Sequence, residues 1–241
     1  MNTILTVDSL CVSYGRLQIL KSLSFDVYKG EVLGIIGPNG AGKTTLLNAL
    51  MGQVKPVEGR IIYKDQDITQ VPVAKRCHMG IGRTYQVPQP FNNLTVYENV
   101  LVSAVHGAGL AEKQAREKSC EVLEIIGLLG LKDVLAGTLG LLNRKRLEIA
   151  KAYATNPELL LLDEVAAGLT ESEVHKVMDI VADMKQAGLT IIWIEHIIMT
   201  MLNATDRLMC LSGGTNLVCG LPQEVMDTKE VEDVYLGVEE D

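Results

Sequence analysis

The stretch Gly37 to Thr45, GPNGAGKTT, decides how this chain is read. It follows the apolar segment EVLGIIG and precedes a run, about Lys43 to Met51, that reads as a helix. It matches the spacing G-x-x-x-x-G-K-[ST] in the strand-to-helix context that this motif needs. Gly37, Gly40 and Gly42, with Pro38, Asn39 and Ala41 between them, let successive backbone N–H groups turn inward around phosphate oxygens. The helix N-terminus adds its positive end. Lys43 then reaches the β- and γ-phosphates, and the hydroxyl of Thr44, followed by Thr45, ligates Mg²⁺. A plain glycine turn beside an ordinary lysine is the bland alternative, and the flanking strand and helix weigh against it.

Further along, Leu159 to Glu164 reads LLLLDE. A continuous apolar run suits a strand buried on both faces. A carboxylate at the C-terminal end of such a strand can hold Mg²⁺ through water, a role that falls to Asp163. Glu164 beside it can polarise an attacking water as a general base, worth about 10²–10⁴-fold in rate. Alone, the pair would read equally well as a solvated turn; with the phosphate loop upstream, the functional reading dominates.

Around these two motifs the chain organises itself. Residues 3 to 36 read as strands with tight turns, GRIIYKDQDI as a short strand and turn, and IGRTYQ as a strand ending in a loop. From about Pro88 the texture changes. Thr95-Val-Tyr-Glu98 is a capping box that opens a helix through about His106. Residues 111 to 128 and 143 to 155 read as further helices. After Pro157 strands return. Thr170-x-x-Glu173 caps a long helix whose apolar face is Val174, Val177, Met178, Val181 and Met184, and Gly188 ends it. LTIIWIE is another buried strand, and RLMCLSGGTNLVCG a hairpin around Gly213-Gly214. Short helices and an acidic tail close the chain. The expected organisation is one domain over 1–241, with an α/β core from 1–87 and 156–241 and a helical subdomain from 88–155.

The bulk numbers agree. The 241 residues are 47% hydrophobic and 22% charged, enough for a packed core, and aromatics are only 4%. A net charge of −8 argues against a nucleic-acid partner held through phosphates. The five cysteines, Cys11, Cys77, Cys120, Cys210 and Cys219, are scattered and form no Cys-x-x-Cys pair, so free core thiols are expected. The opening MNTILTVDSL has no basic region followed by an apolar block, so no signal peptide is expected. The longest apolar stretch, TIIWIEHIIMTML, is broken by Glu195 and His196, so no membrane span is expected either.

Taken in order, YGRLQIL, GPNGAGKTT, GRTYQ, RLEIAKA, LLLLDE and IEH resemble the nucleotide-binding subunits of ABC transporters over essentially the whole chain. The resemblance implies a P-loop NTPase (RecA-like) core with an antiparallel β subdomain and an inserted α-helical subdomain. It implies ATP and Mg²⁺ as ligands. It makes Tyr14 the aromatic that stacks on adenine, where sequence alone would favour a half-buried strand tyrosine. It makes Gln86 the loop glutamine that touches Mg²⁺ and the attacking water, and His196 the switch histidine that contacts the γ-phosphate. His78, His106 and His175 match no motif. Within the family, GIGRTYQ, FNNLTVYENVLVSA, AAGL and the terminal VEDVYLG resemble the ATPases of branched-chain amino-acid importers. Lipopolysaccharide-export and urea-importer ATPases are similar too.

One place departs from the family. Its signature turn, usually Leu-Ser-Gly-Gly-Gln, completes the ATP site of the other subunit in a head-to-tail dimer. Here the turn reads Leu139, Gly140, Leu141, Leu142, Asn143, with RLEIAKA downstream fixing the register. Gly140 lacks the serine hydroxyl, a loss that can cost about 10²–10³ in rate when the group is a transition-state donor. Leu142 adds a side chain where backbone should approach phosphate, and it disfavours any positive-φ geometry that glycine permits. Val165 stands for the usual proline and Thr170 for the usual aspartate or asparagine. LSGGT at 211–215 lies beyond His196 and cannot substitute. The reading is a subunit whose own machinery is complete (Lys43, Thr44, Gln86, Asp163, Glu164, His196) and whose contribution to its partner is impaired. Such a chain is expected to pair with a different ATPase subunit, a homodimer being the alternative, beneath integral-membrane permease subunits on the cytoplasmic face of the membrane. A regulatory module that closes on ATP without transport is the competing class.

Overall fold

Alternation of buried Leu23, Phe25 and Val27 with exposed or half-buried neighbours is a strand pattern, and here it builds an antiparallel sheet. The computed structural model describes residues 2–236. Its contacts divide into two units, Met1–Val73 with Thr190–Asp241, and Ala74–Leu189.

In the first unit, β1 (Thr3–Tyr14) pairs antiparallel with β2 (Leu17–Tyr28). β3 (Val32–Ile36), buried at every position, runs into the glycine-rich loop and then α1 (Lys43–Met51). β4 (Glu58–Tyr63) takes the other edge of β1, and β5 (Gln66–Asp67) closes a hairpin on it. Lys64 and Asp65 make that turn with φ of 49° and 61°, the left-handed pair a type I′ hairpin demands.

α2 (Val73–His78) leads into the second unit. There β6 (Ile81–Arg83) is followed by α3 (Val96–His106), α4 (Glu112–Ile125) and α5 (Leu141–Ala154), then β7 (Leu159–Asp163) and α6 (Glu171–Gln186). β6 and β7 pair in parallel, and α3 packs on α4 and α5. Both predicted capping boxes form. Thr95 Oγ1 accepts from Glu98 N at 3.1 Å while the Glu98 carboxylate accepts from Thr95 N at 2.7 Å. Thr170 and Glu173 reciprocate in the same way ahead of α6. Thr170 therefore has a local structural use of its own. The buried face of α6 is Val174, Val177, Ile180, Val181 and Met184; Met178 sits half-exposed at its margin, and Ile180 takes the place expected of it. The helix ends as Gly188 and Leu189 return their N–H groups to Lys185 and Met184, the paired bonds of a Schellman cap.

The chain then returns to the first unit with β8 (Thr190–Ile194), α7 (Ile198–Ala204), β9 (Arg207–Ser212), β10 (Thr215–Gly220), α8 (Pro222–Met226) and α9 (Lys229–Leu236). β3 lies between β8 and β9 and is parallel to both, and β10 folds back antiparallel on β9. The fully buried runs at β3 and β8 are what parallel strands covered on both faces require.

All five thiols are free, as expected, but only two lie in the core. Cys11 and Cys210 are buried, but Cys77 and Cys219 are half-buried and Cys120 is exposed on α4. Burial pushes the Cys210 thiol up to about 11, with the charge of Lys43 pulling the other way. Among the described residues no helix is long and apolar enough to cross a membrane. The acidic tail, and the last residue of VEDVYLG, lie outside the described residues.

LSGGT is the turn between β9 and β10, as its position suggested. It has a second use. A Cβ on Gly214 would lie 2.0 Å from Ile19 O, and Lys21 N donates to Gly214 O at 2.9 Å, so β2 is seated directly on this turn. Gly213 (φ 55°) has nothing within 4 Å. Gly213→Asn should therefore be nearly neutral, because asparagine tolerates left-handed backbone. Gly214→Ala should cost about 1–3 kcal/mol through overpacking. Urea unfolding midpoints of the two variants check this, and equal midpoints would contradict it.

Candidate functional site

The phosphate loop belongs to the first unit and is shaped by close packing. Gly42 caps α1 with φ 103°, and a Cβ there would meet Leu20 Cδ2 at 2.7 Å, so only glycine fits. Gly37 is pressed against β9, where a Cβ would fall 2.0 Å from Leu211 O. The first N–H groups of α1 have no intrahelical acceptor. No acidic residue stands in its first turn, so nothing in that turn competes with an anion. Lys43 is buried, and its Nζ donates to Gly37 O at 2.7 Å and Pro38 O at 3.0 Å, which folds the ammonium over the loop. Thr44 is exposed and Thr45 half-buried at the helix start. These features fit a polyphosphate.

Two further predicted residues lie in this unit. Tyr14 ends β1, is 49% exposed and pairs with Leu17. The same hairpin supplies Ile19 and Leu20, which pack on Gly42, so the exposed ring belongs to an element seated on the phosphate loop. It is not the half-buried strand tyrosine that sequence alone favoured. His196 is exposed just past β8, beside buried Glu195.

The second unit gathers the acidic residues. Asp163 closes β7, and its Oδ2 accepts from Arg83 Nη2 at 2.9 Å, both side chains being 3% exposed. Thr84 Oγ1 accepts from Asp163 N at 3.1 Å, and Thr84 N donates to Leu161 O at 2.9 Å, so β6 fixes the strand end. The Arg83 guanidinium also lies 5.1 Å from the centre of the Tyr85 ring. Glu164 follows with φ 48°, a left-handed conformation that non-glycine residues rarely adopt. Its carboxylate accepts a short hydrogen bond from Gln86 Nε2. Its main-chain oxygen accepts from Lys145 Nζ at 2.8 Å. The structure thus brings Gln86 and Glu164 together, from positions far apart in sequence. Arg83 and Lys145 had carried no expected role. RTYQ and RKRLEIA contain them, but only long-range pairing shows what they hold. Gln86 and Asp163 in this unit, and Thr44 in the first, each carry an oxygen donor of the kind that Mg²⁺ selects.

The altered turn corrects one expectation. Gly140 caps α5 with φ −67° and ψ 168°, and the helix begins at Leu141. Leu142 and Asn143 are therefore in its first turn, in ordinary right-handed conformation, and glycine's left-handed freedom is irrelevant there. Arg144 braces the approach, donating to Leu139 O at 2.8 Å and Gly137 O at 2.7 Å. Leu139 is buried, Leu141 is 48% exposed and Leu142 half-buried. The turn therefore has no hydroxyl at Gly140 and carries leucine side chains at 141 and 142 on an undistorted backbone.

Residues 20–167 match the model of the ABC transporter family. The chain is 34% identical over 235 residues to the lipopolysaccharide export system ATP-binding protein LptB of Haemophilus influenzae, covering 98% of each. It is also 34% identical over 249 residues to the high-affinity branched-chain amino acid transport ATP-binding protein LivG of Escherichia coli, covering 97% of this chain and 98% of that one. Among solved structures, the ADP conformation of an ATP-binding cassette of an ABC transporter superposes with a TM-score of 0.89 at 33% identity, over 98% of this chain and all of that one.

The buried Arg83–Asp163 pair makes a stability prediction. Removing one member of such a pair costs about 3–5 kcal/mol, because a buried carboxylate loses its facing cation. Arg83→Met should lower the urea midpoint accordingly, and Arg83→Met with Asp163→Asn should recover much of the loss. An unchanged midpoint for the single variant would contradict the pairing.

Proposed function

The chain belongs to the ABC transporter family as an ATP-hydrolysing subunit, and from that premise we propose that it powers uptake of branched-chain amino acids as one half of an unlike pair. The observation that carries the nucleotide chemistry is the phosphate loop, with Gly37 and Gly42 closely packed and no acidic residue in the first turn of its helix. In this reading Tyr14 stacks on adenine, Gly37 to Thr45 wrap the phosphates, and Lys43 exchanges the carbonyls of Gly37 and Pro38 for phosphate oxygens. Thr44, Asp163 and Gln86 would hold Mg²⁺, which would supply charge neutralisation on the phosphates. Glu164 takes the proton of the attacking water, and His196 holds the γ-phosphate. The segment 88–155 serves as the helical subdomain, and 1–87 with 156–241 as the catalytic core.

Cargo rests on the family motifs in the sequence and on the branched-chain relative. A relative of the lipopolysaccharide-export type is equally similar, which keeps lipid cargo as the second reading. Partner identity separates them: co-purification from native membranes should bring a second ATPase subunit and two permeases of the amino-acid type. Recovery of lipid-export components would replace the first reading with the second.

The pairing follows from the turn. Gly140 offers no hydroxyl, and Leu141 and Leu142 place side chains near where a partner's γ-phosphate would dock. The backbone is already suitable for repair, since a Cβ on Gly140 would meet nothing within 4 Å. Gly140→Ser with Leu142→Gly should raise hydrolysis at the site that uses this turn, by up to about 10²–10³-fold. Steady-state ATPase rates of the chain alone and with its partner subunit measure this. An unchanged rate in both settings would overturn the account of the turn.

A further inference from the structure

Lys145 is a buried cation that the chemistry above leaves without a role. It lies one turn into α5, the helix that begins with the altered turn, and it is 4% exposed. Its Nζ donates to Glu164 O at 2.8 Å. Glu164 is also the residue at the strand end with left-handed backbone, φ 48°. Backbone of that kind persists only where the surroundings hold it, and it is concentrated at working sites. Hydrogen bonds to both its side chain and its main chain hold this residue. Gln86 grips the carboxylate and Lys145 grips the main-chain oxygen, which also accepts from Ala167 N at 3.2 Å.

We propose that Lys145 is a positioning residue for hydrolysis: its ammonium pins the main chain of Glu164 in the left-handed conformation and so fixes where the carboxylate points. The inference rests on the ATPase reading, in which Glu164 is the base. Its physical basis is the short lever between the two atoms. Rotation of the Glu164 backbone into an ordinary region would swing the carboxylate away from Gln86. A misplacement of about 1 Å in a reacting group can cost about 10²-fold in rate. A buried ammonium is costly unless its donors are used, and here one of them is used on the residue whose aim matters most. Because Lys145 sits on the helix that carries the turn offered to the partner, a shift of that turn on the partner's nucleotide would reach this chain's own Glu164 through a single side chain.

The test uses the full chain in its native complex. Lys145→Met keeps the length and apolar stem and removes the donor. We expect its kcat to fall about 10- to 100-fold, with KM and Mg·ATP affinity unchanged within about twofold. In single-turnover assays on a Glu164→Gln background, Lys145→Met should cause no further loss, because its effect passes through Glu164. A crystal structure of the Lys145→Met variant should show Glu164 with negative φ. Wild-type kcat for Lys145→Met, or an equal loss on both backgrounds, would overturn the proposal. If Lys145→Met loses nucleotide affinity together with turnover, its fold is damaged, and Lys145→Gln carries the test. That variant should show reduced kcat with intact affinity, and full activity would overturn the proposal. Glu164→Gln alone separates the two levels: if it leaves turnover intact, the assignment of the base fails, whereas if it abolishes turnover while the Lys145 variants do not, only the role of Lys145 fails.

Discussion

Backbone fitted against backbone around the phosphate loop is the constraint on which the rest depends. Gly37 touches Leu211 O, Gly42 lies against Leu20, and Gly214 touches Ile19 O. Gly37 and Gly214 meet backbone directly, while Gly42 meets the side chains of Leu20 and Ile19, so the loop after β3, β9 with its following turn, and β2 are closely joined. The loop amides are consequently set before any ligand arrives. A preorganised site spends little of its interaction energy on ordering, and a polyphosphate is a ligand whose charge must be met by many donors at once. The same packing gives LSGGT its use. In this chain those residues hold the cis phosphate loop and the first hairpin in place, whatever their likeness to a signature turn.

The second unit solves a different problem, that of keeping two adjacent carboxylates distinct. Asp163 is buried and faces a guanidinium, whereas Glu164 is half-exposed, turned by its backbone and gripped by an amide. One is suited to charge compensation and the other to proton transfer. α5 runs past both tasks. Beyond Lys145 it carries Glu148 and Lys151, which pair at 2.9 Å and clasp the segment after Gln86 through Gln89 N at 3.3 Å and Gln89 O at 2.8 Å. A single helix therefore binds the altered turn, the strand end and the loop that exposes Val87 and Phe91. In the proposed transporter, motion imposed on that loop would be felt along this helix.

Much of this was legible in the sequence, and the legible parts share a cause. The glycine-rich loop, the capping boxes at Thr95 and Thr170, the Gly-Gly hairpin and the buried runs at 32–36, 159–163 and 190–194 are local codes, written in neighbouring residues. The hidden parts are partnerships at long range. Nothing in RTYQ announces that Arg83 faces Asp163 or that Gln86 grips Glu164, and nothing in RKRLEIA marks Lys145 over its neighbours. Asn99 is similar: buried at the start of α3, it braces Phe91 and Thr95 through both ends of its amide. The backbone half of the Leu142 expectation does not apply, because it assumed a loop. The helix starts at Leu141, and a leucine in a first helical turn needs no special backbone.

The central claim is that the loop from Gly37 to Thr45 grips the triphosphate of ATP in a magnesium-dependent way. Equilibrium binding of ATP to the purified chain, with and without Mg²⁺, in wild type and Lys43→Ala, tests it most directly. The account predicts magnesium-dependent affinity in the wild type and its loss when Lys43 is removed. Affinity that ignores both the metal and Lys43 would contradict it.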